Sequence, residues 1–403
     1  MSAGKKAGGA SPSVGGDHIG ALPDALLHHV ISFLPARQAV QTCVLARRWV
    51  HLWKSAPGVR IADADAGDFD EVRVFVDNLL LLRGCSRVDT LELKFTRVSI
   101  DMARVRLWIQ HAMLYCKLRV LMLDTYEIRT SFEQDNPPLV SDHLTRVEIR
   151  GIVFRDDDFL DFSRCPSLQD LHLAMCGFAN TKSISSRSLK RLTITEGSFL
   201  SRTRIRAQNL VSLKLHVDWG RTPVLERMPS LVSAVVHIGQ TCFDICGRTY
   251  DGDCGDESCH GCIKDDSSSV LLQGLSEAKR LHLTARLPKM YVIRRDLKRC
   301  PTFSRLKILV LNQYWCVPDI HPLKCILEHS PVVEELCLLL FSQGPKYNVQ
   351  MEGNLNGKEL SSAMSAHLKR LEIKCEMVDE RVLKVLTFLS KFNICSSFKE
   401  KKV

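Results

Sequence analysis

Along most of the chain one hydrophobic pattern recurs, apolar-x-x-apolar-x-apolar, beginning at Val88, Leu118, Leu144, Leu168, Leu189, Leu210, Leu231, Ala278, Leu306, Val333 and Leu368. From 168 to 189 to 210 to 231 the interval is 21 residues each time, and elsewhere it stretches. In such a unit the last two apolar positions alternate along a short strand and point to one side, while the residue between them faces the other. A lone strand of this kind cannot bury its face. Neighbours stacked in a parallel sheet can, with a returning segment covering the back. Val105, Trp108, Ile109, Ala112 and Met113 have helical spacing just ahead of Leu118, and Leu323, Ile326 and Leu327 have it ahead of Val333. Pro166, Pro229, Pro301 and Pro331 stand just before strands and mark turns into them. The pattern predicts an α/β architecture, an irregular solenoid of parallel strands with helical or irregular returns. A conventional α/β domain with leucine-rich strands is the alternative.

Ahead of the repeats the pattern is different. From Leu22 the chain reads as three short helical pieces. Pro23 and Asp24 are start signals, because proline suits the first turn and an acid complements the helix dipole. Leu26, Leu27, Val30, Ile31 and Leu34 recur at three- and four-residue spacing until Pro35 ends the helix. Ala39, Val40, Cys43 and Val44 repeat the spacing, and Trp49, Leu52 and Trp53 form the third piece. A unit of about 40 residues is too small to hide this much apolar surface alone. Two destinations for the surplus remain open: a partner groove taking Leu22, Pro23, Leu26, Ile31 and Leu34 as anchors, or the rest of the chain.

This segment resembles the plant F-box pattern. The matching residues are Leu22, Pro23, Asp24, Leu26, Leu27, Ile31, Phe33, Leu34, Pro35, Ala39, Val40, Thr42, Leu45, Arg47, Arg48, Trp49, Leu52 and Trp53. Ala46 and Val50 depart from it, standing where serine and a basic residue are frequent. The resemblance implies docking on the Skp adaptor of an SCF ubiquitin ligase and, through it, on the cullin and RING subunits. Leu22, Pro23, Asp24, Leu26, Leu27, Ile31, Leu34, Val40, Leu45, Trp49 and Trp53 are the residues it nominates for adaptor binding. The repeat in turn resembles a leucine-rich repeat of irregular length. The position that is Asn or Cys in that family is Cys176 in the unit at Leu168, but Tyr126, Ile152, Gly197, Asp218 or Glu376 in other units. The chain as a whole is similar to plant F-box/leucine-rich-repeat proteins of the FBD-like type. The expected organisation is a disordered leader over 1–16, an F-box over 17–60, a solenoid over 61–377, and a capping helix with a loose polar tail from Phe398 over 378–403.

Within the solenoid, an insert over 240–270 holds Cys242, Cys246, Cys254, Cys259 and Cys262, with His260 and several acids beside them. Cys259-x-x-Cys262 has the spacing of half a tetrahedral zinc site, and Cys246 with Cys254 can complete it. A structural zinc loop, a flexible reduced loop and a redox pair all remain open there.

Composition narrows the function classes. With 45% hydrophobic and 25% charged residues the chain is ordinary for a globular protein, and no apolar run is long enough to span a bilayer. Met1–Gly16 lacks the apolar stretch of a secretory signal, and many of the sixteen cysteines stand singly in apolar stretches. A reducing nuclear or cytoplasmic setting is expected. The net charge of +10 permits acidic partners without demanding them. Arg119, Arg146, Lys190, Arg191, Lys279, Arg280, Lys369 and Arg370 cluster at strand starts, interrupted by Asp170 in one unit and by Glu334 and Glu335 in another, where they line either a solvated edge or a site for an acidic segment. Stacking aromatics do not interleave with them, which argues against nucleic acid. No Gly-rich phosphate loop, metalloprotease motif or nucleophile elbow is present. The expected function is therefore a non-enzymatic substrate adaptor of a ubiquitin ligase, with a scaffolding protein outside the ligase as the alternative. The substrate itself is not readable from the sequence.

Overall fold

The computed structural model describes residues 19, 22–63, 68–96, 100–125, 130–131, 138–155, 158–242, 269–285, 296–316, 320–340, 347–352, 367–375, 378–390 and 395–400. The chain opens on three short helices, α1 (Asp24–Ile31), α2 (Ala36–Gln41) and α3 (Leu52–Ser55), with 3-10 turns at Thr42–Val44 and Arg47–Val50 between the last two. Pro23 and Pro35 stand extended immediately before α1 and α2, as residues that preset a helix start.

Twelve parallel strands follow, stacked in chain order into one sheet: Gly58–Ala62, Thr90–Lys94, Val120–Asp124, Arg146–Arg150, Asp170–Ala174, Arg191–Phe199, Ser212–Gly220, Ser233–Cys242, Arg280–Ala285, Ile308–Asn312, Glu335–Leu340 and Arg370–Cys375. Their register carries the repeat across the molecule. Leu91, Leu121, Val147, Leu171, Leu192, Leu213, Ala234, Leu281, Leu309, Leu336 and Leu371 form one continuous row of partners, all buried. The eleven repeat starts, from Val88 to Leu368, are buried beneath them. A twelfth unit precedes these eleven: Ala56, Val59 and Ile61 have the same spacing and are buried, so the solenoid begins at Gly58, ahead of the expected boundary at 61.

Repeat length decides the return segment. The long early repeats return through α4 (Phe69–Arg83) and α5 (Met102–Tyr115), whose first turns are capped by Asp68 and Asp101 accepting from the Glu71 and Arg104 amides. A 21-residue repeat has no room for a strand, two turns and a three-turn helix. There the returns are short extended segments, Ser183–Ser185, Arg204–Arg206 and Val224–Leu225, paired in parallel as a second sheet on the back. Phe154, Phe178 and Phe199 stack between the layers, with centroids 5.7 and 4.3 Å apart. Helices resume with α6 (Leu272–Leu275) and α7 (His321–Glu328). The expected helical returns at Val105–Met113 and Leu323–Leu327 are α5 and α7.

Irregularity shows at the strand ends, where the family's Asn or Cys tethers neighbouring turns. The Cys176 thiol lies 3.6 Å from the Ile149 carbonyl. Asn312 exchanges two hydrogen bonds with the Ala285 main chain, at 2.6 and 3.2 Å, and Asp63 accepts from the Thr96 amide at 2.6 Å. Different side chains thus supply the same backbone satisfaction.

Both ends of the sheet carry added structure. The first strand is covered by the helical module, where the Arg60 Nε donates to the Ser32 carbonyl at 3.1 Å and Pro35 bridges to Arg60. A Cβ at Gly58 would lie 2.5 Å from that same carbonyl, so only glycine allows this approach. At the other end the strand Arg370–Cys375 pairs antiparallel with Tyr347–Glu352, which pairs antiparallel with Cys395–Glu400. The expected terminal helix is α8 (Glu380–Ser390), with Val382 and Leu389 buried. The tail expected to be loose is a strand through Glu400, because an open sheet edge presents unpaired amides and carbonyls that it satisfies. No helix among the described residues is long and apolar enough to cross a membrane.

Candidate functional site

The residues nominated on the helical module separate into two sets. Leu27, Ile31, Trp49 and Trp53 are buried in the continuous core that the module shares with the solenoid. Leu22, Leu34 and Val40 are half-buried against that core, whereas Pro23, Asp24, Leu26 and Leu45 face solvent. Leu26 is 50% exposed and Leu45 66%, and Val30, Phe33 and Val44 share this exposure at 50, 59 and 82%. These last three lie outside the nominated set. Leu26, Val30 and Phe33 follow at i, i+4 and i+7, which puts them on one side of α1 and its continuing turn. Only the packing of the other side against α3 reveals that this one is bare. Asp24 has a positional partner: Arg48 donates from Nε to its carboxylate at 2.9 Å and from a terminal nitrogen to the Leu22 carbonyl at 2.7 Å. The pair ties the turn Arg47–Val50 to the start of α1 and holds Leu22 in place.

A second surface lies on the solenoid. Near the C-terminal ends of the strands from Thr90–Lys94 to Arg191–Phe199 runs a groove of about 400 Å³, lined by Glu92, Lys94, Met122, Asp124, Glu148, Arg150, His172, Met175, Thr195 and Glu196. Met175 and Glu196 both have φ of 53°, a left-handed conformation that costs non-glycine residues, while the preceding repeat places Gly151 there with φ of 80°. Two successive repeats therefore spend a glycine-type position on a side chain at the groove. The surface mixes charges and apolar methionine surface, which suits an extended peptide segment better than a single anion.

The basic strand starts do not form an uninterrupted stripe. Parallel stacking sets equivalent residues of neighbouring repeats about 4.8 Å apart, close enough for acids in one to neutralise bases in the next. Arg191 pairs with Asp170 of the preceding strand, whereas Arg146 pairs with Glu148 two residues along its own strand. Lys307 and Lys369 both bind Glu334, at 2.7 and 3.0 Å, and hold its carboxyl well below the usual range, at about 2. Arg119, Lys190, Lys279, Arg280 and Arg370 have no acidic partner among the described residues.

Of the insert's nominated ligands, Cys246, Cys254, Cys259 and Cys262 lie outside the described residues. The ten described cysteines with assigned environments are unpaired thiols. Burial pushes Cys165 and Cys337 up to about 11 and Cys176 and Cys316 to about 12, which makes them packing residues and poor nucleophiles. Among the described residues one group can hold a metal ion: Cys300, Cys325 and His329, whose ligand atoms all lie within 4.8 Å of one another. Pattern reading missed it because its members come from two different repeats.

No family model matches the chain. It is similar to curated plant proteins over most of its length. A meiotic F-box protein (MOF) of Oryza sativa subsp. japonica is 30% identical over 409 residues, covering 89% of this chain and 80% of that protein. An F-box/FBD/LRR-repeat protein of Arabidopsis thaliana is 25% identical over 421 residues, covering 94% and 91%. A probable FBD-associated F-box protein of Arabidopsis thaliana is 24% identical over 354 residues, covering 80% and 78%.

Proposed function

Because this chain belongs to the plant F-box/FBD/LRR-repeat family, a class of non-catalytic SCF substrate adaptors, we propose that it recruits a protein substrate to such a ligase. In this reading the helical module docks on the Skp adaptor, which brings the cullin and RING subunits, and the solenoid holds the substrate near the recruited ubiquitin donor. The observation that carries it is the bare apolar side of α1 with Leu45. The opposite side of α1 is already buried in the core that the module shares with the solenoid, so this surface is surplus to the chain's own fold and suits a partner groove. Leu22 and Pro23 belong to the same contact, with Asp24 and Arg48 fixing their position. The groove between Glu92 and Glu196 is the candidate substrate surface, and the nucleus or cytoplasm is the corresponding location.

Co-expression of the full chain with a plant Skp adaptor and a cullin N-terminal domain tests the reading. A complex co-eluting in size-exclusion chromatography, lost when Leu22 and Pro23 are both changed to Ala, is the expected result. A folded full chain that elutes alone at micromolar concentration would overturn it and favour a scaffolding role outside the ligase.

A further inference from the structure

We propose that Cys300, Cys325 and His329 form a zinc site that staples two consecutive repeats of the solenoid together. The site is independent of the Cys-rich insert and does not rest on the ligase reading.

Local chemistry selects the ligands. Cys325 lies in α7 and His329 caps its C-terminal end, so the two are one helical turn apart and share a face. The His329 ring nitrogen Nδ1 is 2.8 Å from the Cys325 carbonyl oxygen. A carbonyl can only accept, so Nδ1 must carry the proton, and in the neutral ring Nε2 is left with its lone pair. This is the arrangement by which a backbone oxygen orients a ligating histidine. Cys300 reaches the same place from the return segment of the preceding repeat, just before Pro301. The Phe303 amide donates to the His329 carbonyl at 2.8 Å, and the Cys325 thiol lies 3.5 Å from the Leu297 carbonyl. The backbone bond from Phe303 therefore holds the segment after Cys300 against the end of α7 with no metal needed, while the thiol contact ahead of it is given up when Cys325 binds as a thiolate.

The geometry fits a tetrahedral ion. With metal–sulfur bonds of about 2.3 Å the edge of the tetrahedron is about 3.8 Å, so ligand atoms within 4.8 Å need side-chain adjustment only. Two thiolates and one imidazole are a soft donor set that favours zinc over magnesium or calcium. Binding replaces the two thiol protons, which leave to solvent, and gives a site with no net charge. Cys325 is buried while Cys300 and His329 are half-exposed, which leaves the fourth position to water on the solvent side. In a solenoid each repeat touches only its neighbours, so a bond between consecutive return segments acts on the interface that governs cooperativity.

The test uses the full chain, reduced and purified without chelators, with Cys242, Cys246, Cys254, Cys259 and Cys262 changed to Ser and His260 to Ala so that the thiols and imidazole of the insert cannot contribute. One zinc per chain by elemental analysis is expected, with cobalt substitution giving the near-ultraviolet charge-transfer band of two thiolates. His329→Ala should weaken zinc binding by about tenfold or more in chelator competition. As a readout free of substitutions, zinc added to the native sequence should slow alkylation of the half-exposed Cys300, mapped by peptide mass spectrometry, and a chelator should restore the rate. Zinc absent from the folded insert variant, unchanged affinity in His329→Ala, indifference of Cys300 alkylation to zinc, or a Cys300–Cys325 disulfide forming in its place would each overturn the proposal.

Discussion

The guanidinium of Arg83, buried in α4, donates to the main-chain carbonyl of Ala56 at 2.6 Å, and its second terminal nitrogen donates to that of Trp53. Burial lowers its pKa to about 10, still well above neutrality, so the charge persists and the bonds are charge-assisted. The first return helix of the solenoid is thereby bonded to the last helix of the N-terminal module at the point where one becomes the other. Module and solenoid meet through a buried polar contact, and a surface on one keeps its orientation relative to a surface on the other.

Arg83→Ala strands two buried carbonyls and leaves a cavity, and should destabilise the chain by about 3 kcal/mol. Arg83→Lys reaches one carbonyl at a time and should recover only part of the loss. Urea unfolding gives the magnitude, and hydrogen exchange over residues 52–62 should accelerate in both variants. Unchanged exchange there would show that the module is held by its apolar contacts alone.

Adjacent residues in α1 should behave oppositely. Leu27 is fully buried, and Leu27→Ala should cost about 2–5 kcal/mol of stability. Leu26→Ala combined with Leu45→Ala touches exposed positions and should move stability by no more than about 0.5 kcal/mol per site. Adaptor binding by that double variant should nonetheless fall about 30-fold, measured by calorimetric titration against a Skp adaptor. A double variant that binds as well as the native chain places the contact elsewhere on the module.

Asp296 accepts hydrogen bonds from the amides of Val270, Leu271 and Leu272 at 2.7, 2.6 and 2.8 Å and from the Ser269 hydroxyl at 2.8 Å. Burial pushes its carboxyl up even though these donors pull it down. It closes the start of α6, where three amides would otherwise point into the core. Asp296→Ala should cost about 3 kcal/mol in thermal or denaturant unfolding. Asp296→Asn should not fully rescue, because the new amide presents donors to donors. A loss below about 1 kcal/mol would mean that water replaces the carboxylate there.

Glu334 provides a pH test of the strand-start ladder. Its folded pKa, about 2, lies below the ordinary carboxylate value because Lys307 and Lys369 both bond to it. The ladder therefore favours the folded state above the ordinary value, and that contribution is lost as pH falls from there through about 2. Carboxyl carbon NMR should show the midpoint near 2 at low salt, and a return toward the ordinary range in 1 M salt or after Lys307→Ala with Lys369→Ala. An ordinary midpoint in the native chain at low salt would mean that the two lysines leave the carboxylate in solution.

Short-range periodicity carried much of the fold. Rows such as Leu121 with Leu123 and Leu336 with Leu338 are buried where alternation placed them, because the two-residue period belongs to any extended backbone. The unit at Ala56, Val59 and Ile61 has the same spacing, but it directly follows the helical segment ending at Ser55, whose three- and four-residue period overlaps its own. Return segments were legible when they formed amphipathic helices, as in α5 and α7. The extended returns of the 21-residue repeats have too few residues to show a period.

The candidate surfaces were only half legible, and the reason is the same in each case. Leu26 and Leu27 carry the same side chain at neighbouring positions, and nothing local distinguishes them. Packing within the fold buries one and leaves the other bare. Acids at Asp170 and Glu334 are visible among the basic strand starts, but only stacking sets Asp170 beside Arg191 and Glu334 between Lys307 and Lys369. Cys300 and His329 lie in different repeats, and only superposition of those repeats brings them together. The sequence by itself determined which residues repeat and with what period, since that follows from backbone geometry within a few residues. Which faces are covered, which charges are neutralised and which ligands meet were decided by the tertiary structure, because each depends on the neighbour that the solenoid stacks against it.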